Sequence, residues 1–348
     1  MKKNPLSAQL DFNPEDFLPA TDEEKQSLVV MRESVSFWKD GFRRLLKNKI
    51  AMVSAFVLVL IMIFSFVLPN FWPYTYEQQI KGSESLKPMT YSEEEQARID
   101  AGEDVFPHIM GTDSLGRDYA VRVMIGSRVS LTVGMVAAVI ILVIGATFGA
   151  IAAFFGGWVD IIMMRIVDII YTIPELLLII LLSVTLEEPL KILAAKPGFG
   201  WMQTIGTNMI SIFIVFALLY WVGMARMVRS QILVLKESEY VTAARALGAK
   251  TGRIIKNHLL TNCIGTLIVM TTLQIPSSIF TESYLSFLGM GVQAPMPSLG
   301  SLAGFAINGL NSYPYLLFIP AVLISMIILS FNLFGDGLRD AFDPKLKS

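Results

Sequence analysis

Charge is scarce in this chain. Only 16% of its 348 residues are Asp, Glu, Lys or Arg, against a hydrophobic share of 53% and a mean hydropathy of +0.57. Soluble domains carry roughly 25% charge, so this chain lacks the polar surface to cover itself in water. It reads as an integral membrane protein. The formal charge of -1 leaves no overall attraction to nucleic acid, and any electrostatic effect must be local. Cysteine is nearly absent: the single Cys263 excludes an intramolecular disulfide framework and says nothing of redox compartment. The two histidines, His108 and His258, lie outside the apolar runs, and no His-Glu-x-x-His or Gly-x-Gly-Asp occurs. An intramembrane protease built on such groups is excluded. There is no Gly-x-x-x-x-Gly-Lys-[Ser/Thr] phosphate loop either, so the chain brings no nucleotide site of that type. No cleavable leader is expected, because polar residues precede the first apolar run at Ile50, which then serves as an uncleaved anchor.

What is present is a set of long apolar segments. A helix crossing a bilayer needs about twenty mainly apolar residues. Six segments meet that requirement: Ile50–Pro69, Val129–Phe155, Ile161–Val184, Met209–Met227, Ile264–Leu288 and Tyr315–Phe334. The third contains Asp168 and Glu175, and the fifth contains Pro276 and Glu282. Lys and Arg beside the spans set orientation. Arg43, Arg44, Lys47 and Lys49 crowd the start of the first span; Arg339, Lys345 and Lys347 follow the last. The 236–262 segment carries Lys236, Arg245, Lys250, Arg253 and Lys256. All three clusters agree on one topology. The expectation is an all-α integral membrane protein of six transmembrane helices, N-in/C-in. It divides into a cytoplasmic arm (1–49), a first transmembrane helix (50–69), an extracellular loop (70–128), a five-helix core (129–335) and a cytoplasmic tail (336–348). The stretch 1–30 is expected to be a disordered or loosely held arm. Glu93-Glu94-Glu95, Asp100, Glu103 and Asp104 form a charge run read as a solvated face of the extracellular loop.

The 236–262 segment is the most distinctive connection. Membrane chains keep lipid-exposed connections plain because every backbone polar group needs a partner, yet this one is long enough for two short helices. Tyr240, Ala243, Ala244 and Leu247 recur at helical spacing and form one face. Two alanines on that face allow another protein to approach closely. Gly248 ends the helix in the left-handed conformation, and Thr251 is expected to cap a second helix through Ile254, Ile255 and Leu259. Two readings stay open on these residues alone: a docking device for a soluble protein, or an amphipathic loop resting on lipid headgroups. A DNA-binding helix-turn-helix is excluded, since the adjoining spans start too close on either side for a major groove to be reached.

Tyr240-Val-Thr-Ala-Ala-Arg-Ala-Leu-Gly248, with His258-Leu-Leu260-Thr261 following nine residues after the glycine, resembles the cytoplasmic "EAA" loop of ABC importer permeases. That loop has the form Glu-Ala-Ala-x-x-x-Gly, then Ile-x-Leu-Pro. Thr242 stands where the family has Glu, His258 where it has Ile, and Thr261 where it has Pro. The last change is expected to leave the second helix straighter. Gly111-Thr-Asp-Ser-Leu-Gly-Arg-Asp118, Gly126-Ser-Arg-Val-Ser-Leu131, Glu282-Ser-Tyr-Leu-Ser-Phe-Leu-Gly-Met-Gly291 and Asn332-Leu-Phe-Gly-Asp-Gly-Leu-Arg-Asp340 are similar to the oligopeptide/dipeptide/nickel branch, specifically its oligopeptide C-type subunit. The resemblance covers nearly everything from Arg32 onward.

That resemblance implies an ABC type I importer permease fold and a division of labour. A homologous second permease would complete the pathway. Two ATPase subunits would hold ATP and Mg and grip Glu239, Tyr240, Ala243, Ala244, Arg245, Leu247 and Gly248. An extracellular peptide-binding protein would deliver substrate. No cofactor or metal is expected on this chain, which would be a transport subunit in a bacterial plasma membrane, not an enzyme. Dipeptide or nickel import is the alternative within the branch. A secondary transporter is the alternative outside it, though no inverted repeat is visible. Charges within spans default to a functional role. Glu175, after Pro174, and Glu282 are candidates for the translocation path or a gate; hydrogen bonding to a neighbouring helix is the alternative, and for Glu282 a structural or gating role is preferred. Asp113, Arg117 and Asp118 are candidates for contact with the binding protein, against simple turn formation. Asp160, Arg165 and Asp168 are expected to form salt bridges within or between helices, and Gly145 and Gly149 to let helices pack closely.

Overall fold

The computed structural model describes residues 37–342. The expected arm before Phe37, and the tail with Lys345 and Lys347, lie outside the described residues. The chain divides between Asp40 and Gly41 into a short N-terminal unit and the main body, and helix α1 (Phe37–Lys47) runs across that boundary. Then come α2 (Lys49–Met62), extended by a π turn at Ile63–Val67, and α3 (Glu93–Asp100). A long α4 (Tyr119–Phe155) is followed by α5 (Gly157–Thr172), α6 (Glu175–Ala194), the short α7 (Trp201–Ile205) and α8 (Thr207–Leu219). The remainder is α9 (Trp221–Leu235), α10 (Glu239–Ala246), α11 (Thr251–Ile254), α12 (Ile264–Phe287), α13 (Leu299–Ala306) and α14 (Tyr315–Phe342). Among the described residues there is no strand, only an isolated bridge between Thr112 and Asp118.

Five stretches are long and apolar enough to cross a membrane: Lys49–Asn70, Tyr119–Phe155, Thr207–Leu235, Ile264–Phe287 and Tyr315–Phe342. The expected third span, Ile161–Val184, is not one helix. It is the pair α5–α6, bent by 89°, and makes a sixth crossing only as a broken span. Pro174 is the cause. Its ring denies the helical conformation to the residue before it, and Ile173 is extended, with φ -85° and ψ 134°.

Helix α4 is the spine. Asp118 caps its start by accepting the Val121 N–H at 3.0 Å, so Tyr119–Arg128, expected in the loop, are helical. Its 37 residues span about 55 Å at 1.5 Å per residue, well beyond the roughly 30 Å hydrocarbon layer. The lower two-thirds of α4 packs against α8 and α9 through Val133, Ala137, Ile141, Phe216, Val228 and Ile232. Near its other end it meets α12, α13 and α14 through Val123, Leu131, Ile279 and Leu299. Lipid tails are as apolar as these side chains, so burial from water does not drive the contact. Close van der Waals approach does.

Gly145 and Gly149 supply that approach, as the sequence suggested. A Cβ at Gly145 would come within 2.6 Å of the Met224 Cβ and 2.9 Å of the Trp221 carbonyl, and one at Gly149 would strike the Ala225 carbonyl. Gly149→Leu should therefore cost about 1–3 kcal/mol by overpacking and lower the thermal midpoint in micelles. Gly252→Ala, where nothing lies within 4 Å, should stay within about 0.5 kcal/mol. Equal midpoints for the two variants would refute this account of the α4–α9 contact.

Candidate functional site

The 236–262 segment is two short helices fixed to the body by apolar side chains. Val241, Ile254 and Leu259 are buried in the same core as the middle of α4 and α9. Because Val241 points inward, the opposite face of α10 points out: Leu247 is 88% exposed, Tyr240 40%, and Ala243 is exposed, while Ala244 is half-buried. The predicted face is thus open apart from Ala244. Arg245 does not join it. Its guanidinium turns back over the Phe154 ring, 5.2 Å from the centroid, at the end of α4. Glu239 is exposed in the first turn of α10, where negative charge suits the helix N-terminus. Tyr240 accepts a hydrogen bond from the Asn262 side-chain amide at 3.1 Å, tying the two arms together.

The turn between the arms forms as its glycine dictates. Gly248 has φ +77°; its N–H donates to the Arg245 carbonyl at 2.9 Å, and the Ala249 N–H to the Ala244 carbonyl at 3.0 Å. This pair of bonds is a Schellman cap. The expected Thr251 cap is absent. Thr251 is the first helical residue, and Lys250, whose side chain has no acceptor atom, holds the cap position with extended backbone. The second helix widens to a π turn at Ile255–Leu260, and the Thr261 hydroxyl donates to the Lys256 carbonyl at 3.1 Å. At the start of the segment, Lys236 donates to the Ala153 carbonyl at 3.1 Å, clamping α9 to the last turn of α4.

The bent span holds the ionic groups. Asp160 makes a two-pronged pair with Arg229, both bonds at 2.5 Å, and Asp168 pairs with Arg226 at 2.8 Å. Both bridges run from α5 to α9. Arg165 has no ion-pair partner among the described residues. Arg226 also lies over the Tyr171 ring at 4.4 Å. Glu175 is the first residue of α6 and is exposed, lining an open cleft of about 390 Å³ with Tyr171, Pro174, Leu178, Leu219 and Val222. Glu282 is placed quite differently. It is 0% exposed and accepts hydrogen bonds from Ser130 and Ser286 at 2.7 Å each and from Ser283 at 3.3 Å. Such a carboxylate pins α12 to α4 and faces no open path, which favours the helix-bonding alternative for this residue.

The 70–118 loop folds into a lobe over one end of the helices. Asp113, Arg117 and Asp118 all turn into it. Asp113 accepts the Leu115 and Arg117 N–H groups at 2.9 and 3.1 Å and the Arg117 guanidinium at 2.7 Å, with Arg122 3.3 Å away. Arg122, buried, also donates to the Tyr76 carbonyl at 3.1 Å. These residues shape a turn, the alternative to partner contact, with Asp118 buried and Asp113 and Arg117 left partly exposed.

Comparison with known proteins decides the family. Residues 145–348 match the family described as binding-protein-dependent transport system inner membrane component, and residues 36–88 match the N-terminal TM domain of oligopeptide transport permease C. The chain belongs to that transport family. It is a multi-pass membrane permease, a transport subunit. It is 39% identical over 331 residues to "Oligopeptide transport system permease protein OppC" of Bacillus subtilis (strain 168), covering 95% of this chain and 97% of that one. It is also 39% identical over 332 residues to "Dipeptide transport system permease protein DppC" of the same organism, covering 95% and 93%. A third relative, the OppC of Haemophilus influenzae, is 38% identical over 313 residues, or 90% of each chain.

The permease lobe contains an ionic cluster that its sequence hid. His108 is fully buried; its Nδ1 lies 2.8 Å from Asp118 Oδ2 and its Nε2 3.0 Å from Glu95 Oε1. Asp118 also accepts from the Trp72 indole N–H at 3.1 Å, and Glu95 from the Ser92 N–H at 2.9 Å. Tyr74 stacks on the imidazole at 4.7 Å. Glu95, expected on a solvated face, is buried instead. With carboxylate oxygens on both ring nitrogens, both must donate, so the ring is an imidazolium. Burial pushes the His108 pKa down, but the Asp118 and Glu95 bonds and charges outweigh it and raise the pKa. Burial likewise pushes Glu95 up, and the Ser92 and His108 bonds outweigh it and lower it. Burial, with Glu95 and Asp118 nearby, pushes the Tyr74 phenol up to about 12.

The signs follow from linkage. A raised histidine stabilises the fold below its unfolded pKa and loses that contribution as pH rises through the folded one. A lowered Glu95 loses its contribution as pH falls through its own folded value. Amide exchange across the lobe, corrected for intrinsic rate, should therefore accelerate at least severalfold between about pH 6.5 and pH 9. His108→Gln should exchange faster at the lower pH and lose the pH dependence. A wild-type profile as flat as the variant's would disprove it.

Proposed function

We propose that this permease is the membrane subunit of an ATP-driven importer of oligopeptides in a bacterial plasma membrane, with both termini in the cytoplasm. Its partners are a homologous second permease, two ATPase subunits that bind ATP and Mg, and an extracellular peptide-binding protein. The observation that carries this reading is the open Tyr240–Ala243–Leu247 face of α10, mounted on core pegs at Val241 and Ile254. An exposed leucine beside an alanine on a rigid short helix suits a groove in a soluble partner. Loose side chains on a flexible loop would transmit no force; these do, because α10 cannot move without α9 and α4. ATP-driven movement of the partner would swing this unit as a body and open the pathway to alternate sides.

Glu175 is the chain's contribution to the pathway in this reading. Its carboxylate stands at the bend, beside an open cleft, where the protonated amino group of a peptide would find an acceptor. Dipeptide import is the second reading, favoured by the equal identity to a dipeptide-named relative.

Leu247→Asp tests the coupling. The residue is solvent-exposed, so folding and insertion should match wild type. Retention of the co-expressed ATPase subunits on affinity purification should fall by about tenfold or more, the size of an interface hot-spot loss, and peptide uptake with it. Undiminished retention and uptake would sink the proposal. Competition of labelled pentapeptide uptake by unlabelled dipeptide separates the two substrate readings.

A further inference from the structure

Helix α1 leaves a face uncovered whose chemistry matches the surface of a bilayer. Successive residues of a helix are about 100° apart, which sorts the second half of α1 into three strips. One is packed: Leu45 is buried with Ala51, Val269, Leu338 and Ala341, and Gly41 lies against the Phe342 ring. The next is apolar but open, with Phe42 59% and Leu46 50% exposed, one turn apart. The third is basic: Arg43 and Lys47, also one turn apart, are exposed, and Lys49 follows them. Among the described residues neither Arg43 nor Lys47 is in an ion pair.

We infer that this face docks on anionic phospholipid headgroups, with Phe42 and Leu46 in the acyl boundary and Arg43 and Lys47 at the phosphates. Two further observations fix the occupant. One is continuity. Only Asn48 separates α1 from the membrane-crossing α2, which it caps through the Ala51 N–H at 3.2 Å, and the open strip runs on into Ile50 and Val53, 63% and 64% exposed on that span. Phe42 and Leu46 are therefore held where lipid begins. The other is charge. Strips of apolar and basic residues side by side are what an interfacial helix needs to hold anionic lipid. A protein groove would match the apolar strip alone. The inference needs only that α2 crosses a membrane, and it stands or falls separately from the transport reading.

The test uses the full chain with Cys263→Ala, reconstituted in nanodiscs and labelled with bimane at Phe42→Cys. Brominated phosphatidylglycerol and brominated phosphatidylcholine are compared as quenchers at equal mole fraction, with aqueous iodide as a third. Quenching by brominated lipid is expected, with a preference for phosphatidylglycerol of roughly fivefold per basic residue. Adding Arg43→Gln and Lys47→Gln should leave the label in lipid and bring the two lipids to parity. Equal quenching by both lipids in the unmodified basic background would overturn the inference. So would quenching by iodide alone, which places the strip in water, or by none of the three, which places it under protein. A label at Val53→Cys, on the crossing helix itself, reports whether the reconstituted chain is inserted in every disc.

Discussion

Two missing side chains, at Gly145 and Gly149, set how closely α4 and α9 approach, and much of the permease depends on that distance. In water a looser contact would still be held by the cost of exposing apolar surface. Lipid offers no such penalty, so helices that do not touch closely do not hold. Here contact is reinforced at its end by Lys236, at the close of α9, donating to the Ala153 carbonyl in the last turn of α4, and by the two aspartate–arginine bridges from α5. The segment at 236–262 grows directly out of α9 and pegs back into the same core. It is an outward extension of the α4–α9 contact, pegged back through Val241, Ile254 and Leu259. The same spine continues to the other end, where the cap of α4 is also a member of the buried histidine cluster.

Hydropathy made the long helices legible because crossing a hydrocarbon layer demands length and apolarity and little else. Five spans could be read in this way. The bent pair could not, since hydropathy counts apolar residues without regard to backbone geometry; Pro174 was the available signal, and its effect on Ile173 is a local rule. Asp160 and Asp168 were visible as charges needing partners, but Arg226 and Arg229 lie on another helix, and sequence spacing carries no information about which helices meet. At 236–262 the face, the glycine cap and the two-arm form were legible, because each is set by residues a turn apart. The π turn and the turning back of Arg245 depend on packing against α4 and were not.

The lobe shows the opposite error. Its acidic run looked like solvated surface, yet Ser92-x-x-Glu95 is a capping box and Asp118 directly precedes an apolar helix. Both were readable as local signals. That His108 would bridge them was not, since it joins residues brought together only by folding. Motif-borne acidic and basic residues at 113–118 likewise suggested a partner, where the geometry uses them inside the chain. Among membrane proteins such a result is unsurprising: an exposed lobe too small for a large core must hold itself together with polar contacts.

The right-angle break between α5 and α6 has an electrical side. Main-chain groups at a bend lack helical partners and cannot be left bare in hydrocarbon, so water or protein must reach the neighbourhood of Pro174. Water entering the open cleft beside Glu175 would shorten the dry distance across which the membrane potential falls. Moving a unit charge through the full potential costs about 2.3 kcal/mol per 100 mV. A charge handed over at such a cleft meets that whole potential across the shorter dry stretch beyond it, so the bend that sacrifices backbone hydrogen bonds concentrates the field there without changing the total electrical work.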